Sequence, residues 1–369
     1  MKLNLQKLFF VLLISLAFVM CANDEESTGN IVEPPTVTDD ETVSEEYYAY
    51  TPVSHPEEFV ARASLTDEFE DGYNTDNWEA TNEKFASWTF SSDEKYVKVE
   101  DGKLMLSVDY DDSSSNVSSG GYQCYFRSGM LRSKNYMRYG YYEASIKGAD
   151  LWPGTCTAFW LYTATSASRD GVDQEQYAIS YNEIDIIELQ QIASNKDMLA
   201  CNMHLYALDA DLKNTEYKAS KYPHLGQNQF EISEYWSGDD YWQPEDDFHT
   251  YAVENRPDSV VFYIDNKRVA AKANYFWHRE DFWICFSLGL RTPFETYDYA
   301  GTGETVRGPV DPSTVDMNDV EGSFPATMEI EWIRVWDRAG CEEGVYDQEK
   351  FPSSECDFDP YEWPVYQAS

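Results

Sequence analysis

Residues 181–191 read YNEIDIIELQQ, with the carboxylates Glu183, Asp185 and Glu188 inside six positions otherwise held by isoleucine. The isoleucines favour a buried strand, since β-branched side chains suit a pleated surface. Side chains on a strand alternate faces, so Glu183 and Asp185 point one way and Glu188, an odd step from both, the other. One extra residue restores the match. A β-bulge at Ile186 or Ile187 shifts the parity and brings all three acids onto one face. Two long glutamates then flank the short aspartate, the spacing wanted by a retaining glycosidase, whose two carboxyl groups stand about 5 to 5.5 Å apart. In that arrangement Asp185 hydrogen-bonds to Glu183 and orients it, and burial with charge repulsion raises Glu188 so that it can act as the acid. Two other readings stay open. One or two of the acids are solvated strand residues, or they bind calcium, which would recruit further oxygen ligands from loops.

The sequence around this segment reads as strands almost throughout. KLMLSVDY (103–110), YYEASIK (141–147), YAVEN (251–255), SVVFYID (259–265) and TMEIEWIRVW (327–336) are rich in β-branched and aromatic residues, mostly alternating with polar ones. FYIDNKRVA, centred on Asp265 and Asn266, reads as a hairpin. Helical periodicity is scarce. The expected fold is all-β, a sandwich of two packed antiparallel sheets.

The N-terminus carries Lys2 and Lys7, then an apolar run from Leu8 to Met20 broken only by Ser15, then Cys21. The run is shorter than the roughly 20 residues a spanning helix needs, so 1–21 reads as an export signal, with Cys21 as the lipidation site or lost by cleavage near Ala22. Ala22 to Val60 holds eleven Asp or Glu and no Lys or Arg. Such a segment buries too little apolar surface to offset its ordering entropy, so 22–61 is expected to be a disordered tether. Residues 62–338 remain as one large domain, followed by an acidic tail, 339–369. Cys341 and Cys356 bracket part of that tail and could pair in an oxidising compartment; Cys124, Cys156, Cys201 and Cys285 sit in apolar runs as buried thiols. No cysteine spacing suits zinc, no cofactor is required, and a structural calcium is left open.

A formal net charge of −40 makes nucleic acid or an anionic membrane an improbable partner, because both need a basic surface. Eleven Trp and 28 Tyr point instead to sugar, whose apolar ring faces stack on flat aromatic side chains. Trp160, Trp236, Trp242 and Trp277 are the candidate cleft residues. YWSGDDYWQPEDD (235–247) is too rich in Asp, Gly and Pro for a core and is expected to loop over one end of a groove.

EIDIIE resembles the bulged active-site signature of glycoside hydrolase family 16, Glu-x-Asp-x-x-Glu, which implies a β-jelly roll with a concave cleft. The resemblance implies Glu183 as nucleophile, Asp185 as its assistant and Glu188 as acid/base. Residues 128–162, with the pair Phe159-Trp160, are similar to the family's strands before the catalytic one, and TMEIEWIRVWD (327–337) to its closing strand. GADLWPGTCTAFW, NMHLY and WHREDFWICFSLGLRTPF look most like κ-carrageenases and furcellaran-degrading members. That likeness implies endo-cleavage of β-1,4 linkages in a sulfated red-algal galactan, with His204 and Arg291 in the cleft and Arg291 a candidate for sulfate. A planar, permanently charged guanidinium suits sulfate oxygens. The acidic run after Cys21 resembles a surface-export signal of Bacteroidetes lipoproteins, which implies a Gram-negative cell-surface or outer-membrane lipoprotein, otherwise a secreted monomer. The alternatives are an agarase, a porphyranase or a laminarin-type β-1,3-glucanase and, outside enzymes, a carbohydrate-binding surface lipoprotein.

Overall fold

The computed structural model describes residues 51–163, 179–207, 228–256, 259–274, 281–296 and 307–339. The export signal, Cys21, most of the tether, Trp277 and the tail with Cys341 and Cys356 lie outside these residues.

The described strands form two large sheets. The seven-stranded sheet runs in the order Asn228–Glu231, Met198–Ala207, Ile179–Leu189, Thr155–Thr163, Phe282–Leu290, Met130–Ser133 and Trp78–Ala80. In the ten-stranded sheet, Lys267–Ala273, Ser259–Ile264, His249–Asn255, Gly140–Lys147, Ala326–Arg338 and Lys103–Tyr110 are neighbours in that order. These pairings are antiparallel, as the alternating sequence patterns require. The hairpin at 265–266 forms as expected, with Asp265 (φ 48°) and Asn266 (φ 60°) both left-handed, a conformation Asn and Asp tolerate better than most side chains.

Alternation decides which side chains fill the space between the sheets. Along Thr155–Thr163, Phe159 and Leu161 are fully buried, whereas Ala158, Trp160 and Tyr162 are only partly covered. Phe286 stacks on Phe159 at 4.7 Å, and the same core takes in Ile146, Val253, Ile330 and Ile333 of the opposite sheet. Each such side chain contributes about 1.5–3 kcal/mol through burial. The outward row, Ala158 and Trp160 with their neighbours, becomes the floor of a cleft.

Phe59–Ala61, placed by the sequence in the segment before the domain, form a strand on Trp336–Arg338, because Phe59 buries its ring edge-on against Tyr141 at 5.8 Å and carries Arg338 over its face at 4.8 Å.

Candidate active site

The strand Ile179–Leu189 is irregular where its sequence requires it to be. Asp185 lies opposite Trp160 and Ile187 opposite Phe159, so two steps on one strand match one on its neighbour. On the other side Asp185 lies opposite Asn202 and Glu188 opposite Ala200, again one residue in excess. Ile184, Ile186 and Ile187 are all essentially fully buried, so the doubled apolar step goes into the core, and Glu188 returns to the face of Glu183 and Asp185. Cys201 Sγ donates to the Ile186 carbonyl at 3.2 Å, occupying an acceptor at the bulge.

The three acids open into a cleft of about 250 Å³, also lined by Trp160, Gln191, His204, Ser287, Arg291 and Arg307. Trp160 stacks on Tyr162 at 5.1 Å and donates Nε1–H to Ser287 Oγ at 3.1 Å, which fixes its ring. One wall is aromatic: Phe85 and Trp88 lie 4.6 Å apart, and Arg307 sits over Phe85 at 4.6 Å while its Nε donates to Glu295 at 3.2 Å.

The acids divide into two environments. Burial, the charge of Asp185 and a hydrogen bond with Asp185 hold the Glu183 carboxyl well above the usual range, against the opposing charge of His204. His204 Nε2 lies 3.1 Å from Asp185 Oδ2. Burial opposes a charge on that ring, yet the hydrogen bond to Asp185 and the charges of the three acids push it up to about 10. Glu183, Asp185 and His204 offer ligand atoms within 4.8 Å of one another, and a protonated His204 supplies the positive charge an ion would bring. Glu188 is surrounded by donors: Arg291 Nη2 at 2.8 Å, Asn202 Nδ2 at 2.5 Å, Gln191 Nε2 at 3.1 Å and Cys156 Sγ at 3.7 Å. Asp185 meets Glu183 with negative charge, whereas amides and a guanidinium meet Glu188.

Two candidates leave the site. Trp236 and Trp242 are nearly buried and face each other edge-on at 5.3 Å; Trp242 also stacks on His249 at 3.7 Å. Their segment looked exposed because its neighbours are acidic, yet these rings are the anchors that hold the loop to the core. Asn202, Gln191, Phe85, Trp88 and Arg307 were missed. Asn202 was within reach, since it stands two residues from His204 on one strand and so on the same face.

Fold and site together define a glycoside hydrolase. Residues 59–338 match the family model described as beta-porphyranase A-D, GH16 domain, so the chain belongs to glycoside hydrolase family 16. It is 27% identical to the kappa-carrageenase of Pseudoalteromonas carrageenovora over 309 residues, covering 78% of this chain and 68% of that one. The structure of that organism's kappa-carrageenase with an oligotetrasaccharide of kappa-carrageenan superposes with a TM-score of 0.59 at 25% identity, covering 83% of this chain and 98% of that one. A kappa-carrageenase from Zobellia galactanivorans gives 0.60 at 27% identity, covering 76% of this chain and 95% of that one.

Proposed function

We propose that the protein is a retaining endo-hydrolase of β-1,4 linkages in a sulfated galactan of the κ-carrageenan or furcellaran type. The observation that carries this reading is the bulge between Asp185 and Glu188, which turns an alternating strand into a single row of three acids in one cleft. The likeness to kappa-carrageenases supports the substrate class.

In this reading Glu183 attacks the anomeric carbon while Glu188 protonates the departing glycosidic oxygen, and the sugar becomes esterified to Glu183. Glu188, now a carboxylate, draws a proton from water, which attacks the same carbon and releases Glu183. Asp185 holds Glu183 in place through their hydrogen bond, and the charge on His204 favours the anionic form of the nucleophile. Trp160 offers its ring to a sugar face. Lipidation at Cys21 would hold the enzyme at the cell surface on its acidic tether.

Digestion of purified κ-carrageenan, furcellaran, porphyran, agarose and laminarin, with sizing of the products, tests the substrate. Oligosaccharides from the first two are expected, and activity on laminarin alone would overturn the reading. The matching family model favours a second reading, cleavage of porphyran, which the same panel separates. Glu183→Gln and Glu188→Gln should each abolish turnover; full activity in either removes its assigned role.

A further inference from the structure

Glu188 has no room for the proton it must donate. An ionised carboxylate offers about four lone-pair sites, and a protonated one gives up part of that capacity. Here Oε1 accepts from Arg291 Nη2 (2.8 Å) and faces Cys156 Sγ (3.7 Å), while Oε2 accepts from Asn202 Nδ2 (2.5 Å) and Gln191 Nε2 (3.1 Å). Burial pushes the Cys156 thiol far up, so it stays a neutral S–H and a weak partner, and the two amides carry an oxygen that can turn to accept; Arg291 alone has no acceptor, and its charge favours the ionised carboxylate. For Glu188 to act as an acid, the guanidinium that holds it ionised must leave.

Only one of the four is suited to leave. Asn202 and Cys156 sit on flanking strands, Gln191 lies two residues past the end of the Glu188 strand, and all three are at least 95% buried. Arg291 follows the strand Phe282–Leu290 and lines the cleft on a long side chain, with Nη1 donating to the Leu290 carbonyl at 2.9 Å. Its guanidinium can exchange one oxyanion for another at little cost if the second arrives with the substrate, since carboxylate and sulfate both accept from the same fork.

We propose that Arg291 is a latch on the acid/base residue, released by an anionic substituent of the bound sugar. In the empty cleft it donates to Glu188. A sulfate ester on the substrate draws the guanidinium away, Oε1 takes a proton from solvent, and Glu188 becomes the acid; when product leaves, the ion pair re-forms. Arg291 is then a positioning residue that makes sulfate a requirement for turnover and not only for binding. The inference rests on the sulfated-galactan reading above.

The test compares a sulfated κ-carrageenan oligosaccharide with the same oligosaccharide chemically desulfated, on the wild type, Arg291→Met and Arg291→Lys, each first checked for native-like thermal unfolding. For the wild type, desulfation should lower kcat about tenfold or more, the worth of one charge-assisted hydrogen bond, and not merely raise KM. Arg291→Met should cleave the desulfated sugar with a higher kcat than the wild type, because the latch is gone, while its KM for the sulfated sugar rises. Arg291→Lys, which keeps the charge, should retain part of the sulfate dependence of kcat. Cleavage of both sugars by the wild type with equal kcat would overturn the latch and leave the galactan reading standing. A loss of kcat on the desulfated sugar in Arg291→Met would also overturn it. Failure of the wild type on both sugars would overturn the substrate reading and the latch with it.

Discussion

Asp185 stands between Glu183 and His204, hydrogen-bonded to the glutamate and 3.1 Å from the imidazole, so the three side chains form one electrostatic unit at the centre of the cleft. Glu183 must be ionised to attack, and its carboxyl is held above the ordinary value of about 4.3. The acidic limb of kcat/KM should therefore lie above that value. His204 pulls in the opposite direction, lowering Glu183. Removing its charge in His204→Asn should move the acidic limb to higher pH, as a pH–rate profile would record. A limb that stays in place would exclude His204 from this role.

The same histidine links stability to alkaline pH. Its folded value, about 10, lies above the unfolded value of about 6.5, so the folded chain holds the proton more tightly. Its contribution is fully present below about 6.5 and is lost as pH rises toward 10. Thermal unfolding temperature should fall across that window in the wild type and fall less in His204→Asn.

At the far side of the second sheet, Glu254 accepts from Arg256 Nη2 at 2.6 Å and from Arg338 Nε at 2.7 Å, all three side chains buried. Burial opposes the charge on Glu254, but the two arginines outweigh it and hold the carboxyl below its ordinary value. The sign is opposite to that of His204. This stability is present above about 4.3 and disappears as pH falls through the lowered value. Glu254→Gln removes the carboxylate these two buried guanidinium groups share, leaving Arg338 its second partner Glu58, and should cost about 3–5 kcal/mol in urea unfolding at neutral pH.

Trp160 and Trp242 should separate cleanly in mutagenesis. Trp242 packs on His249 and Tyr251 away from the cleft, so Trp242→Ala should cost about 3–5 kcal/mol of stability and leave KM of the folded enzyme near that of the wild type. Trp160 lines the cleft and is only partly buried, so Trp160→Ala should raise KM with a smaller loss of stability. Urea titration and initial-rate kinetics on the same preparations check both.

Much of this was legible in the chain itself, and the reason is parity. Strands declare their faces every second residue, so an acid on the wrong face of EIDIIE demanded a bulge, and both neighbouring strands show the shift. Strand positions such as 103–110 could be read for the same reason. Loops have no such period. Phe85 and Trp88 reach the cleft from outside the central strands, and the burial of Trp236 and Trp242 depends on partners such as His249 and Tyr251 that no local pattern reveals. Charge environments were legible only in kind: three close acids meant a perturbed carboxyl, but the guanidinium that meets Glu188 comes from Arg291, one hundred and three residues away.

The most direct measurement is the anomeric configuration of the first product, followed by proton NMR during early digestion of a κ-carrageenan oligosaccharide. Two displacements at one carbon, Glu183 first and water second, leave the configuration of the cleaved bond unchanged, so the β-anomer should appear first and mutarotate later. Initial release of the α-anomer would mean that water attacks directly, and Glu183 would not be the nucleophile that the bulged strand presents.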